Sequence, residues 1–194
     1  MKELQTSFYS MEELKEIGFK SFGRNVFISR FVRFYHPENI EIGNNVRIDD
    51  FCIFSAGGKI IIGNYIHIAP YTSLIGQGDI VLEDYCSISG RVSIYSSSDD
   101  YMGMAMTNPM IPSEYRRVHT QRVILRKHSI IGCGSVILPG VELGEGVSIG
   151  AMSLVKDSCE AETVYSGNPL KRVGNRLQRY HKFEKMFIES LNKD

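Results

Sequence analysis

The chain has 194 residues, enough for one domain with a real buried core. Its 22 basic and 22 acidic residues cancel to a formal net charge of +0, which excludes a general electrostatic fit to nucleic acid or to an anionic membrane surface. No apolar run approaches the roughly 18 residues of a membrane span, the opening MKELQTSFYS lacks the apolar core of a signal peptide, and four cysteines without a C-x-x-C fit a reducing compartment, so a cytoplasmic protein is expected.

The first predicted element is a short helix within residues 1–21. Ser10-Met-Glu-Glu13 reads as a capping box, with Ser10 as N-cap and Glu13 at the third helical position. Leu14 and Ile17 supply an apolar stripe, and Gly18 ends the helix. Such a helix is suited to lid a stacked structure whose end coil would otherwise expose its core and its strand edges.

From Phe22 onward a bulky apolar residue recurs every six positions. It comes in triplets: Phe22/Ile28/Phe34, Ile42/Ile48/Phe54, Ile62/Ile68/Leu74 and Leu82/Ile88/Ile94, then Leu125/Ile131/Ile137 and Leu143/Ile149/Val155. Helices and alternating strands have periods of 3.6 and 2, so neither gives this spacing. A super-period near twenty marks a solenoid built by stacking. Each hexad reads as a short strand plus a corner, and three hexads close one triangular coil. Glycine often follows the bulky residue (Gly43, Gly63, Gly132, Gly144, Gly150), which suits a corner needing unusual dihedrals. Cys52, Cys86 and Cys159 fall on the small-residue position of a hexad and read as core, while Cys133 falls at a corner and reads as exposed.

The first four triplets are separated by eight-residue steps, which put extra residues at one corner near Pro37–Glu38, Gly57–Gly58 and Gln77–Gly78. At the next occurrence, Ser97–Ser98, the rhythm stops and resumes only at Leu125. The excursion 97–122 carries Met, Tyr, Pro, paired acids and one His. A long loop of that composition predicts a packed, functional loop. The solenoid is expected over 22–171. Over 172–194, Leu177, Tyr180, Phe183, Phe187 and Leu191 recur at helical steps and predict an amphipathic helix, a second cap or a brace between subunits.

The runs IGNNVRI, IGNYIHIAPYTSL and IGCGSVILPGVELGEGVSIGAMSLV, with the closing GNPLK, resemble the hexapeptide-repeat acyltransferases over roughly residues 22–172. The resemblance implies an all-β, left-handed parallel β-helix, here of about six coils. It also implies a homotrimer and acetyl-CoA as acyl donor, with a sugar or sugar-nucleotide acceptor under the 97–122 loop between subunits. The spacing gives three sides and leaves the hand open; the general crossover rule would predict the opposite one.

Acyl transfer needs a base for the acceptor's proton, donors for the tetrahedral oxyanion and a groove for the carrier. The family places its catalytic His just after the strand ending at Tyr95, where this chain carries Asp99, Asp100 and Tyr101. Three readings follow. His119, at the far end of the loop, folds back as the base. Asp99 or Asp100 takes the role. Or acyl transfer has been lost and the chain is a trimeric binding scaffold. The resemblance lays the donor along the outside of the C-terminal coils, beside Cys133, Ala151, Ser153 and Asn168, with Lys156, Lys171 and Arg172 for its phosphates. Tyr95, Ser97, Tyr101 and His67 are the candidates for acceptor contact. His36 and His181 read as surface residues and His128 as solvated. A zinc enzyme built on His67, His119 and His128 is disfavoured because these have no ligand-like spacing.

Overall fold

The computed structural model describes residues 7–191. The hexads fold into short strands that stack into three parallel faces. The first face runs from Ser21–Phe22 to Glu142–Leu143, the second from Val26–Ile28 to Thr163–Ser166, and the third from Arg33–Tyr35 to Leu154–Val155. The result is a left-handed parallel β-helix of six full coils, with a seventh begun by Thr163–Ser166. Strand register stacks the bulky residues on one another. Ile42, Ile62, Leu82, Leu125 and Leu143 form one column, and Ile28, Ile48, Ile68, Ile88, Ile131 and Ile149 a second. Phe34, Phe54, Leu74, Ile94, Ile137 and Val155 make the third. Nearly all are fully buried, and each such side chain stabilises the coil by about 1.5–3 kcal/mol relative to exposure.

Helix α1 (Met11–Ile17) closes the N-terminal end. Both halves of the capping box are formed, Gly18 ends the helix in the left-handed region, and Leu14 is fully buried in the core. Phe19 packs edge-on to Phe22 and Phe34 beneath it. The C-terminal end differs from the expectation of one helix over 172–194. Residues Lys171–Asn175 form a strand that turns back antiparallel on Thr163–Ser166, and helix α2 runs only over Arg179–Leu191.

The repeated glycines have a different cause from the one expected. Gly43, Gly63, Gly132, Gly144 and Gly150 do not have left-handed backbones. A side chain there would strike the next coil: a Cβ on Gly43 would lie 2.4 Å from the Gly63 carbonyl oxygen, and one on Gly132 2.4 Å from the Ala151 nitrogen. The left-handed positions come two residues later and hold Asn45, Tyr65, Tyr85 and His128 on one corner, and Phe51, Tyr71 and Arg91 on the next. This conformation is costly for non-glycine residues, and stacking compensates. Tyr65 lies on Tyr85 at 5.4 Å, Tyr85 on His128 at 4.9 Å, and Phe51 on Tyr71 at 5.1 Å.

Candidate active site

The 97–122 excursion grows from the corner between the third and first faces, where the earlier coils already bulge. Its two ends pair as an antiparallel ribbon, Ser97 opposite Thr120 and Ser98 opposite His119. The ribbon is tied to the coil beneath: the Ser96 hydroxyl donates to the Gly78 carbonyl at 2.7 Å, and the Gln77 N–H donates to the Ser97 hydroxyl at 3.3 Å. Two clefts flank it. One, of about 650 Å³, is lined by Tyr95, Ser97, Ser98, Asp99, Tyr101, Val136 and Leu138. The other, of about 480 Å³, lies towards His36, Gln77 and Arg116 and shares Ser97, Ser98 and Asp99.

The two adjacent acids behave differently. Asp100 is committed to the loop. Its Oδ1 accepts from the Met102 N–H at 2.9 Å, and its Oδ2 from the Met104 and Ala105 N–H groups. Those backbone bonds hold its carboxyl below the usual range. The half-buried Asp99 carboxylate has no hydrogen-bond or ion-pair partner among the described residues, and it lines both clefts. His119 is exposed beside Ser98 and lines neither cleft.

The loop beyond Asp100 is not packed as its composition predicts. Tyr101 is 90% exposed, and Met102, Met104 and Met110 are also bare. This loop projects from the chain with most of its apolar side chains exposed, Met104 Sδ accepting from Arg117 Nη1 at 3.4 Å. His67 is likewise away from the clefts, held at Nε2 by Asp49 at 2.7 Å on the second face. His128 is not solvated: it lies under α2 with its side chain 10% exposed.

The expected donor residues line up along a different edge, the corner between the second and third faces. Backbone bonds link its levels: the Gly134 N–H to the Gly90 carbonyl, the Met152 N–H to the Cys133 carbonyl, and the Leu154 N–H to the Gly167 carbonyl. Cys133 and Ala151 are exposed there, as is Asn168 at the lower end, with Lys171 and Arg172 exposed on the antiparallel strand beside it; Lys156 is a correction, because it follows Leu154–Val155 and lies on the corner between the third and first faces. Ser153 is a correction. It is buried, donating to the Gly150 carbonyl at 2.7 Å and accepting from the Gly167 N–H at 2.9 Å, so its hydroxyl staples the corner. At the upper end of the same column stands Ser89, which periodicity alone does not distinguish from any other corner serine.

Residues 122–157 match the family described as bacterial transferase hexapeptide (six repeats). The dTDP-4-amino-4,6-dideoxy-D-glucose acyltransferase of Escherichia coli is 55% identical over 179 residues, covering 92% of this chain and 93% of that protein. AntD, an N-acyltransferase from Bacillus cereus, was solved in complex with dTDP and 3-hydroxybutyryl-CoA. It superposes with a TM-score of 0.93 at 49% identity, covering 97% of this chain and 100% of the other. Other solved forms of AntD carry substitutions at one serine and at an aspartate ten residues further on, two of the serine forms with dTDP-4-amino-4,6-dideoxyglucose and coenzyme A bound. A maltose O-acetyltransferase from Clostridium difficile, 22% identical with a TM-score of 0.58, shares the fold. With a shared coil, a projecting loop and near full-length identity to characterised enzymes, this chain belongs to the hexapeptide-repeat family of CoA-dependent acyltransferases.

Proposed function

We propose that the protein transfers an acyl group from an acyl-CoA to the amino group of a dTDP-linked 4-amino-4,6-dideoxy sugar, in a site shared by two subunits of a homotrimer, with Asp99 as the proton acceptor. The acceptor class rests on the relatives that match nearly the whole chain. Acetyl-CoA remains a candidate donor, and the 3-hydroxybutyryl-CoA held by AntD favours a small acyl group of that size or less.

The observation that carries the reading is the state of the two acids. An amine attacks a thioester as the free base, so its proton must pass to a group with an open lone pair. Asp99 has such lone pairs and faces both clefts, whereas those of Asp100 are occupied by three backbone N–H groups. The spacing of the substituted positions in AntD supports the same residue. This chain contains one Ser–Asp pair ten residues apart, Ser89 and Asp99.

These two residues stand on different corners of one coil, before and after the strand Ser93–Tyr95. A reaction centre touching both is most simply built from the Ser89 corner of one subunit and the Asp99 loop of the next. The donor then runs along the neighbour's corner past Ala151 and Cys133 towards Ser89, its phosphates near Asn168, Lys171 and Arg172. The bare Tyr101 and methionines of the loop gain an apolar partner on trimer formation. The amine attacks the thioester carbonyl, its proton passes to Asp99, and the tetrahedral intermediate expels the CoA thiolate, which takes the proton. In the test, Asp99→Asn lowers turnover roughly 10²–10⁴-fold with little change in acyl-CoA affinity, while His119→Ala stays within about tenfold of the parent protein. A His119→Ala variant as inactive as Asp99→Asn would return the base role to the imidazole.

A further inference from the structure

The side chains that fasten α2 to the coil form a second cluster, remote from the clefts. His128 reaches it from the coil corner, its ring orientation fixed by the stack on Tyr85. His181 and Glu184 reach it from α2, and their three-residue separation puts them on one helix face. Each of the three offers one ligand atom, and these atoms all lie within 4.8 Å of one another. A tetrahedral zinc ion with nitrogen and oxygen ligands at about 2.0–2.2 Å sets its ligand atoms about 3.3–3.5 Å apart. Small side-chain adjustments bring the trio to that spacing.

The surroundings match a metal site more closely than a plain hydrogen-bond contact. Glu162 accepts from His181 Nε2 at 2.9 Å, the carboxylate backing that metal-bound imidazoles usually have. With Nε2 so held, Nδ1 is the nitrogen of His181 left for an ion. The Tyr180 hydroxyl donates to the same Glu162 oxygen at 2.6 Å. The other oxygen, Oε2, is buried with no hydrogen-bond partner. The Arg176 guanidinium, 4.7 Å from the Tyr180 ring centroid, is set against two carboxylates here, one with an orphaned oxygen, and a bound cation offsets the remaining negative charge.

We propose that His128, His181 and Glu184 form a zinc-type divalent metal site that clamps α2 to the coil, with Glu162 orienting His181. On binding, the proton between His128 Nε2 and Glu184 Oε2, now 2.9 Å apart, is released to solvent and both atoms turn to the ion. Because α2 follows closely on the strand Lys171–Asn175, the ion also fixes the segment that carries Lys171 and Arg172. The proposal is independent of the acyl-transfer reading, since none of its residues lines the clefts.

The test uses the full-length protein, stripped with a chelator and titrated with ZnCl₂ or CoCl₂. It reads metal content, the visible bands of bound Co²⁺ and thermal stability. The expected result is one ion per chain, with tetrahedral-type Co²⁺ bands and a raised midpoint. Glu184→Gln and His181→Gln each remove a ligand and weaken binding by more than the roughly 10–100-fold that loss of an outer partner costs, while Cys133→Ser, which removes the exposed thiol, leaves metal uptake unchanged. Both substituted side chains lie between α2 and the coil, outside the buried core columns, and folding is checked by unchanged circular dichroism. Zinc uptake that survives both α2 variants, or uptake below one ion per chain at micromolar zinc, overturns the proposal.

Discussion

At the scale of single residues, environment decides chemistry more than residue type does. Four thiols illustrate it. Burial pushes the thiols of Cys52, Cys86 and Cys159 up to about 11, 12 and 11 respectively, so they stay protonated and inert. Cys133 sits exposed on the donor corner. At about pH 8 a thiol reagent is expected to modify one cysteine per folded chain, Cys133, and all four after denaturation. Saturating CoA is expected to slow that labelling several-fold; unchanged labelling with CoA bound would put the donor elsewhere. The two adjacent acids make the same point. Sequence offers Asp99 and Asp100 as equals, because the three N–H groups that occupy Asp100 arrive from a loop whose path no periodicity reports. Ser89 was illegible for a related reason: it occupies an ordinary corner position, and only its ten-residue spacing to Asp99, matched to the substituted pair in AntD, singles it out.

At the scale of elements, the capping helix is the part most exposed to pH. Glu13 is the third residue of α1, and it is held by the Arg30 guanidinium and the Ser10 N–H, which lower its carboxyl from 4.5 to about 2. A depressed carboxyl contributes its stability in full above the unfolded value of 4.5, and that contribution is lost as pH falls towards about 2. Amide exchange at Leu14, followed between about pH 6 and about pH 2, is expected to speed up across that window beyond the intrinsic pH effect. Glu13→Gln should remove the added dependence and give fast exchange throughout; a variant that still slows with rising pH would assign the effect to another group. The helix itself was legible in Ser10, Glu13, Leu14 and Gly18, because capping is local. The terminal strand Lys171–Asn175 was not, because it exists only by pairing with Thr163–Ser166. His128 was misplaced for the same reason: nothing near it in sequence shows that α2 comes back to cover it 56 residues later.

At the scale of the whole molecule, the coil is the most legible feature. Its core columns are the hexad residues read directly off the chain, since stacking makes every level repeat the same contacts. The repeat also explains why function was harder to read. Corners recur at every level, so a catalytic serine and a structural one look alike. The site proposed between two chains would have no signature within either one. The exposed apolar loop and the separation of Ser89 from Asp99 on two corners support the proposed assembly, a closed trimer of about 66 kDa from 21.9 kDa chains. The most direct test mixes two inactive variants. Ala151→Trp fills the donor corner, and Asp99→Asn disables the loop, each in every subunit of its own trimer. Co-expressed with different tags, they form mixed trimers in which one of the three interfaces, about a third, pairs an intact corner with an intact loop. Doubly tagged trimers are therefore expected to recover about a third of the parental turnover. Mixed trimers that assemble yet remain as inactive as either variant alone would contradict a site shared between subunits.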